Sequence, residues 1–227
     1  MAARRAPIDP SHTRASSHRT EAKRPPRWRR RKASRPGEIL DAALATFVER
    51  GYAATRIEEI ARRAGVSKGT MYLYFRSKEA LFRAVVTRSM VPTVEQAEQI
   101  VRGHRGSARD LLRSILLAWW DALEASPASG LTKLMAAESG NFPGPTRQFL
   151  TEVFMRRRRL LGNVIRRGVR NGEFRHIRPE LAVRLAIAPI LLASIWKHSF
   201  QAREPEPLDL RALVVLHAET FLRGISR

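Results

Sequence analysis

Apolar residues recur at helical spacing from Gly37 onward. Ile39, Ala42, Ala43, Phe47 and Val48 share one face of a first helix, and Gly51 supplies its stop. The run Thr55-Arg56-Ile57-Glu58 has the form of a Thr-x-x-Glu capping box before a short helix with Ile57, Ile60 and Ala61 inward. Gly65 ends that helix. Ser67 is placed to cap another beginning at Lys68, and Ser77 a longer one through Ala80, Leu81 and Val85 to about residue 101. Further helices are predicted at about 107–125, 131–139, 145–171, 179–200 and 208–224. The breaks fall at Gly103 and Gly106, Pro127 and Gly130, Gly140 with Pro143 and Pro145, Gly172, and Pro205 with Pro207. No segment alternates with period two and no internal repeat is visible, so the predicted fold class is all-α.

Residues 1–36 break this pattern. They carry Pro7, Pro10, Pro25, Pro26 and Pro36, many Arg and Ser, and almost no aliphatic side chain. A segment so poor in apolar surface does not offset its ordering entropy, and it is expected to be a disordered basic arm. An Arg/Ser-rich, acid-poor N-terminus also resembles an organellar transit peptide, although the amphipathic stripe of one is missing. Residues 1–37 hold twelve Lys/Arg against two acids, residues 38–86 eight against six, and residues 87–227 twenty-two against thirteen, which together make the net charge of +21. Such a chain favours polyanionic partners. Of its 42 basic residues 36 are arginine, which reflects GC-rich coding as readily as selection for phosphate contacts.

The chain has 227 residues and no cysteine, which excludes disulfides, thiolate metal sites and a cysteine nucleophile, and fits a cytoplasmic protein. The most apolar stretch, Leu181 to Ile195, is interrupted by Arg184 and Pro189 and reads as a buried helix, so no membrane partner is expected. The histidines, His12, His18, His104, His176, His198 and His217, lack metal-ligand spacing. No Gly-rich phosphate loop or nucleophile elbow occurs. Neither catalytic residues, a metal nor a cofactor is expected, and the chain is not read as an enzyme.

The segment RIEEIARRAGVSKGTMYLYF is the most informative. It predicts a helix, a turn containing Gly65 with Val66 packed in it, and a second short helix, the layout of a helix-turn-helix whose second helix enters the major groove. Ser67, Lys68 and Thr70 offer hydroxyls, a cation and free backbone N–H groups to phosphates, and Gly69 lets the backbone come close to DNA. Met71 and Phe75, four apart, form the core face. Tyr72 and Tyr74 lie off it and are suited to phosphate and sugar contacts.

With these residues on view, positions 38–86 resemble the N-terminal DNA-binding domain of the TetR family. The shared pattern runs through Ala42-Ala43, Phe47, Gly51-Tyr52, Thr55, Ile60-Ala61, Ala64-Gly65-Val66-Ser67, Gly69-Thr70, Tyr72, Tyr74-Phe75, Ser77-Lys78-Glu79 and Leu81. The resemblance implies a three-helix DNA-binding domain at 37–86 and a larger helical ligand-binding and dimerisation domain at 87–227. It places Thr55, Arg56, Ser67, Lys68, Gly69, Thr70, Tyr72, Tyr74 and Lys78 at or near DNA. It also implies a homodimer through helices 179–200 and 208–224, a double-stranded palindromic operator, and a small-molecule effector of unknown identity acting on a repressor. The basic arm is longer than that family needs. It either wraps DNA or serves as a solvated tail.

In the second half, Leu111, Ile115, Trp119 and Leu123 form a stripe at spacing four, with Leu112, Leu116 and Trp120 beside it. Such stripes are core more often than ligand box. Trp119, Trp120, Met135, Glu138, Phe154, Arg157 and Trp196 are the candidate pocket residues. Arg157 falls in the middle of the apolar face formed by Val153, Phe154, Leu160, Leu161 and Val164. A lone buried charge costs several kcal/mol, so Arg157 either pairs with Glu138, snorkels outward, or meets a ligand. The residues alone leave open a nonspecific nucleic-acid protein acting through its charge.

Overall fold

Ten α-helices follow one another among the described residues, which in this computed structural model are 27–126 and 128–227, with side chains from Arg35 onward. They are α1 (Arg27–Arg50), α2 (Ile57–Arg63), α3 (Lys68–Tyr74), α4 (Lys78–Gly103), α5 (Ala108–Glu124), α6 (Ser129–Glu138), α7 (Pro143–Phe149), α8 (Met155–Arg170), α9 (Pro179–Ser199) and α10 (Leu210–Ile225). A π-helical turn, Leu150–Phe154, joins α7 to α8. The described residues contain no strand. One antiparallel bridge between Phe174 and Ser226 ties the end of α10 to the loop after α8.

Two helix starts are set by the hydroxyl caps that the spacing suggested, and two more by caps it did not. Ser67 accepts from the Thr70 amide and Ser77 from the Ala80 amide, while Ser107 and Asp209 cap α5 and α10 in the same way. Gly51 and Gly65 follow α1 and α2 with φ of +79° and +63°, a conformation that L side chains enter at a cost.

Three expectations change. Helix α1 begins at Arg27, ten residues before Gly37, so part of the expected disordered arm is helical backbone. The run from Arg27 to Ser34 is built of Arg, Lys, Trp, Ala and Ser, without Gly or β-branched residues, a composition compatible with helix. Residues 1–26, the rest of that arm, lie outside the described residues. Thr55 does not cap α2. The N-cap is Arg56, with no side-chain bond, because the Thr55 hydroxyl is committed to the Gly51 carbonyl at 2.6 Å. Gly130 is not a break but lies inside α6, where a Cβ would sit 2.5 Å from Val48 Cγ1 of α1. Close helix approach, rather than a turn, calls for glycine there.

Two clusters of buried side chains hold residues 35–227 together. One joins α5, α8, α9 and α10 through Leu111, Leu112, Ile115, Leu116, Trp119, Trp120 and Leu123, the stripe predicted above, packed on Leu161, Ile165, Ile187 and Leu222. Full burial of each such side chain contributes about 1.5–3 kcal/mol. The other holds Ile39, Phe47, Ile60, Met71, Phe82 and Val85 of the first four helices. It continues without interruption into Leu131, Leu134 and Met135 of α6 and into Phe142. Rings carry the junction: Phe142 lies 4.6 Å from Tyr52 and 5.2 Å from Phe82, centroid to centroid.

Helix α9 has the length and hydropathy of a membrane-crossing helix. Its Ala182, Val183, Ala186, Ile187, Ile190 and Ala193 are nonetheless buried in the bundle. On its other side Leu181, Leu185 and Leu192 are exposed, as is Leu216 on α10.

Candidate nucleic-acid interface and effector cavity

The second and third helices form the predicted helix-turn-helix. Val66 packs in the turn, with its amide bonded to the Ala61 carbonyl at 2.9 Å. Met71 is buried at 1% exposure and fixes the inward face of α3. Ser67 at the N-cap and Lys68, Gly69, Tyr72 and Leu73 of α3 are all exposed. The Ser67 and Thr70 hydroxyls lie 2.9 Å apart at the start of α3. A Cβ on Gly69 would meet only Ser67 Oγ, at 3.8 Å, so the backbone there is open to an approaching partner. Lys68 Nζ is held by Glu58 Oε1 of α2 at 2.6 Å, and this bond raises the Lys68 pKa and lowers that of Glu58. Arg56 is exposed at the head of α2.

Leu73 was not singled out in the sequence. It is 84% exposed in the middle of α3. It stands two residues from Met71, hence on the far side of the helix, and that spacing is the signal that would have found it. An apolar side chain displayed there is suited to thymine methyl groups.

Two expected DNA contacts are placed elsewhere. Thr55 is 1% exposed, and its hydroxyl is spent on Gly51. Lys78 turns inward: its Nζ donates to the carbonyls of Tyr52, Ala53 and Thr55 at 2.8, 3.2 and 3.0 Å and lies 4.5 Å above the Tyr52 ring. Partial burial lowers its pKa. Lys78 therefore closes the loop between α1 and α2, and no donor is left over for phosphate. Tyr74 is half-buried against the core and keeps part of its surface exposed, while Tyr72 is exposed outright.

Behind this domain lies a cavity of about 380 Å³ between α5, α6, the π turn, α8 and α9. Of the seven candidate pocket residues, Trp119, Met135, Phe154 and Arg157 line it, joined by Phe149 and Leu191. The other three do not. Trp120 is fully buried in the core of α5, α8, α9 and α10. Trp196 packs against Phe200 with the rings tilted and their centroids 4.8 Å apart. Glu138 points the opposite way, and its Oε1 accepts the Tyr52 amide at 3.2 Å, tying α6 to the loop after α1.

The expected pairing of Arg157 with Glu138 is thereby excluded. Arg157 Nη2 donates instead to Thr93 Oγ1 of α4 at 2.7 Å, and its guanidinium lies 3.9 Å over the Trp119 ring. Burial pushes its pKa down to about 9, still above neutral pH, so it remains a cation. Its neighbour Arg156 is paired with Glu98 at 2.9 Å.

Residues 39–85 match the family described as bacterial regulatory proteins, tetR family, and residues 103–219 match the tetracyclin repressor-like C-terminal domain. Among curated relatives, the fatty acid metabolism regulator protein of Bacillus subtilis is 27% identical over 149 residues, 66% of this chain and 74% of the relative. The HTH-type transcriptional repressor KstR2 of Rhodococcus jostii is 29% identical over 167 residues, 73% of this chain and 80% of the relative. The crystal structure of FadR from Bacillus subtilis in complex with stearoyl-CoA shares the fold, with a TM-score of 0.70 and 24% identity over 83% of this chain and 98% of that one. With a helix-turn-helix displayed on one side and a helical bundle matched over more than half of its length on the other, the chain belongs to the TetR family of DNA-binding transcriptional regulators, which are not enzymes.

Proposed function

We propose that the protein is a ligand-responsive, cytoplasmic repressor that binds a palindromic operator as a homodimer. Residues 37–86 read the DNA, and residues 87–227 hold the effector and the dimer interface. The observation that carries the reading is the apolar cavity lined in part by α6, which shares a core with the helix-turn-helix, and tied to α4 through the Arg157–Thr93 bond. A mainly apolar hollow with few polar groups is the ordinary form of a small-molecule site. The relative named for fatty acid metabolism and the structure bound to stearoyl-CoA favour an effector with a large apolar body. Occupation of the cavity shifts DNA binding only through different affinities for the two states. The Arg157–Thr93 bond to α4 and the Glu138–Tyr52 bond to the first loop are contacts through which such a difference can act.

The homodimer is supported by α9 and α10. Leu181, Leu185, Ala188 and Leu192 follow one another at spacings of four, three and four, and all are exposed in the single chain. A second copy packing on this stripe and on Leu216 removes it from water. Its two-fold axis then sets the symmetry of the operator. On each copy, Arg56, Ser67, Lys68, Gly69, Thr70, Tyr72, Leu73 and the exposed part of Tyr74 make the DNA contacts.

A competition titration tests the reading. The protein is expected to keep one operator fragment against excess random duplex, and equal loss to both would indicate a charge-driven nonspecific binder instead. Leu192→Glu should yield monomers or aggregates in sedimentation and abolish tight operator binding. A dimer of normal affinity would move the interface elsewhere.

A further inference from the structure

Arg157 is out of keeping with its surroundings. A guanidinium carries five N–H donors and needs acceptors when it leaves water. In the structure one donor reaches Thr93 Oγ1 and one face rests on Trp119. No carboxylate of the described residues lies within ion-pair distance of it. Acids are not scarce nearby: Arg156, one residue earlier, takes both oxygens of Glu98, and Glu138 on the cavity-lining α6 is turned to the Tyr52 amide. Arg157 is also the one charged residue among those lining the cavity, the rest being apolar or hydroxyl-bearing.

Taking that cavity as the effector site, we propose that its ligand carries a single free carboxylate on a long apolar body, and that Arg157 receives the carboxylate. The planar fork of arginine matches the two oxygens of a carboxylate, and the pair is strongest where water is excluded. A neutral ligand would dry the cavity and leave the cation uncompensated, which costs more than leaving the cavity wet. A coenzyme A thioester also fits poorly: esterification replaces the carboxylate with a neutral carbonyl, which leaves Arg157, the one charged residue of the cavity lining, without a counter-charge. The assignment thus parts from the stearoyl-CoA bound by the Bacillus subtilis protein.

Titrations of the full-length protein with dodecanoate, dodecanol and dodecanoyl-CoA, below micelle formation and read by calorimetry, decide the matter. Dodecanoate should bind about ten- to a hundredfold more tightly than dodecanol, the range expected of a hydrogen bond to a charged group. Arg157→Met should remove that preference while leaving dodecanol binding in place, which also separates Arg157 from general attraction to a basic protein. Arg157→Lys should keep part of it. If Arg157→Met does not fold, the acid-to-alcohol ratio on the native chain and on Arg157→Lys still decides. Equal affinities for acid and alcohol would overturn the anchor and leave the cavity reading standing. Binding of neither would overturn both. Tight dodecanoyl-CoA binding that Arg157→Met does not weaken would show that the thioester is the ligand form and the anchor is wrong.

Discussion

Lys68 meets DNA from within an ion pair. Its ammonium and the Glu58 carboxylate are 2.6 Å apart and both are more than half exposed. An exposed pair contributes little to stability. Glu58 must nevertheless be displaced before Lys68 reaches a phosphate, so Glu58→Gln is expected to strengthen operator and random-DNA binding alike. Because the same Lys68–phosphate contact forms in both chains, the fall of log K with log salt and the melting midpoint should stay nearly as they are. Lys68→Ala should weaken binding to both DNAs and flatten that fall by about 0.9, one phosphate's worth. Anisotropy titrations at several salt concentrations check both, and an unmoved affinity in Glu58→Gln would show that Lys68 does not reach the backbone. Ser67 and Lys68 were legible in the sequence because caps and first-turn residues are local matters. Thr55 and Lys78 were not. Their partners are the Gly51 carbonyl and three carbonyls more than twenty residues away, and spacing along a helix does not reveal which carbonyl a loop turns inward.

At the scale of the element, most helix boundaries followed from caps, glycines and prolines, because start and stop signals act within a turn. The π turn at Leu150–Phe154 gave no such signal, since Val153 and Phe154 fit an α-helical face equally well. The inward placement of Arg157 was readable from its helical face, but its partner Thr93 belongs to another helix. Gly130 misled for the opposite reason. It has the form of a break and acts as a contact, because Val48 of α1 occupies the place of its missing side chain. Gly130→Ala is expected to push α6 away from α1 and cost about 1–3 kcal/mol, as overpacking does. Urea denaturation should show a lower midpoint with an unchanged slope, and a midpoint within error of the native chain would mean that the two helices part freely.

For the whole molecule, charge and hydropathy act on different parts. Twelve of the 42 basic residues fall within residues 1–37, where two acids oppose them. Tethered before the DNA-binding domain, they are expected to add backbone affinity without reading bases. Deleting residues 1–34 should flatten the salt dependence and weaken specific and random DNA by similar factors, whereas superimposable slopes would remove the arm from the mechanism. The remaining chain divides less cleanly than its sequence suggests. Residues 39–85 match a family domain of their own, yet Phe47, Phe82 and Met71 share one buried cluster with Leu131, Met135 and Phe142. The reading head is therefore not a transferable cassette. A hybrid regulator that joins this head to a foreign sensor at residue 86 would leave Tyr52 and Phe82 without Phe142. A working chimera would have to carry α6 and Phe142 across with the head, or supply rings of the same size at the seam.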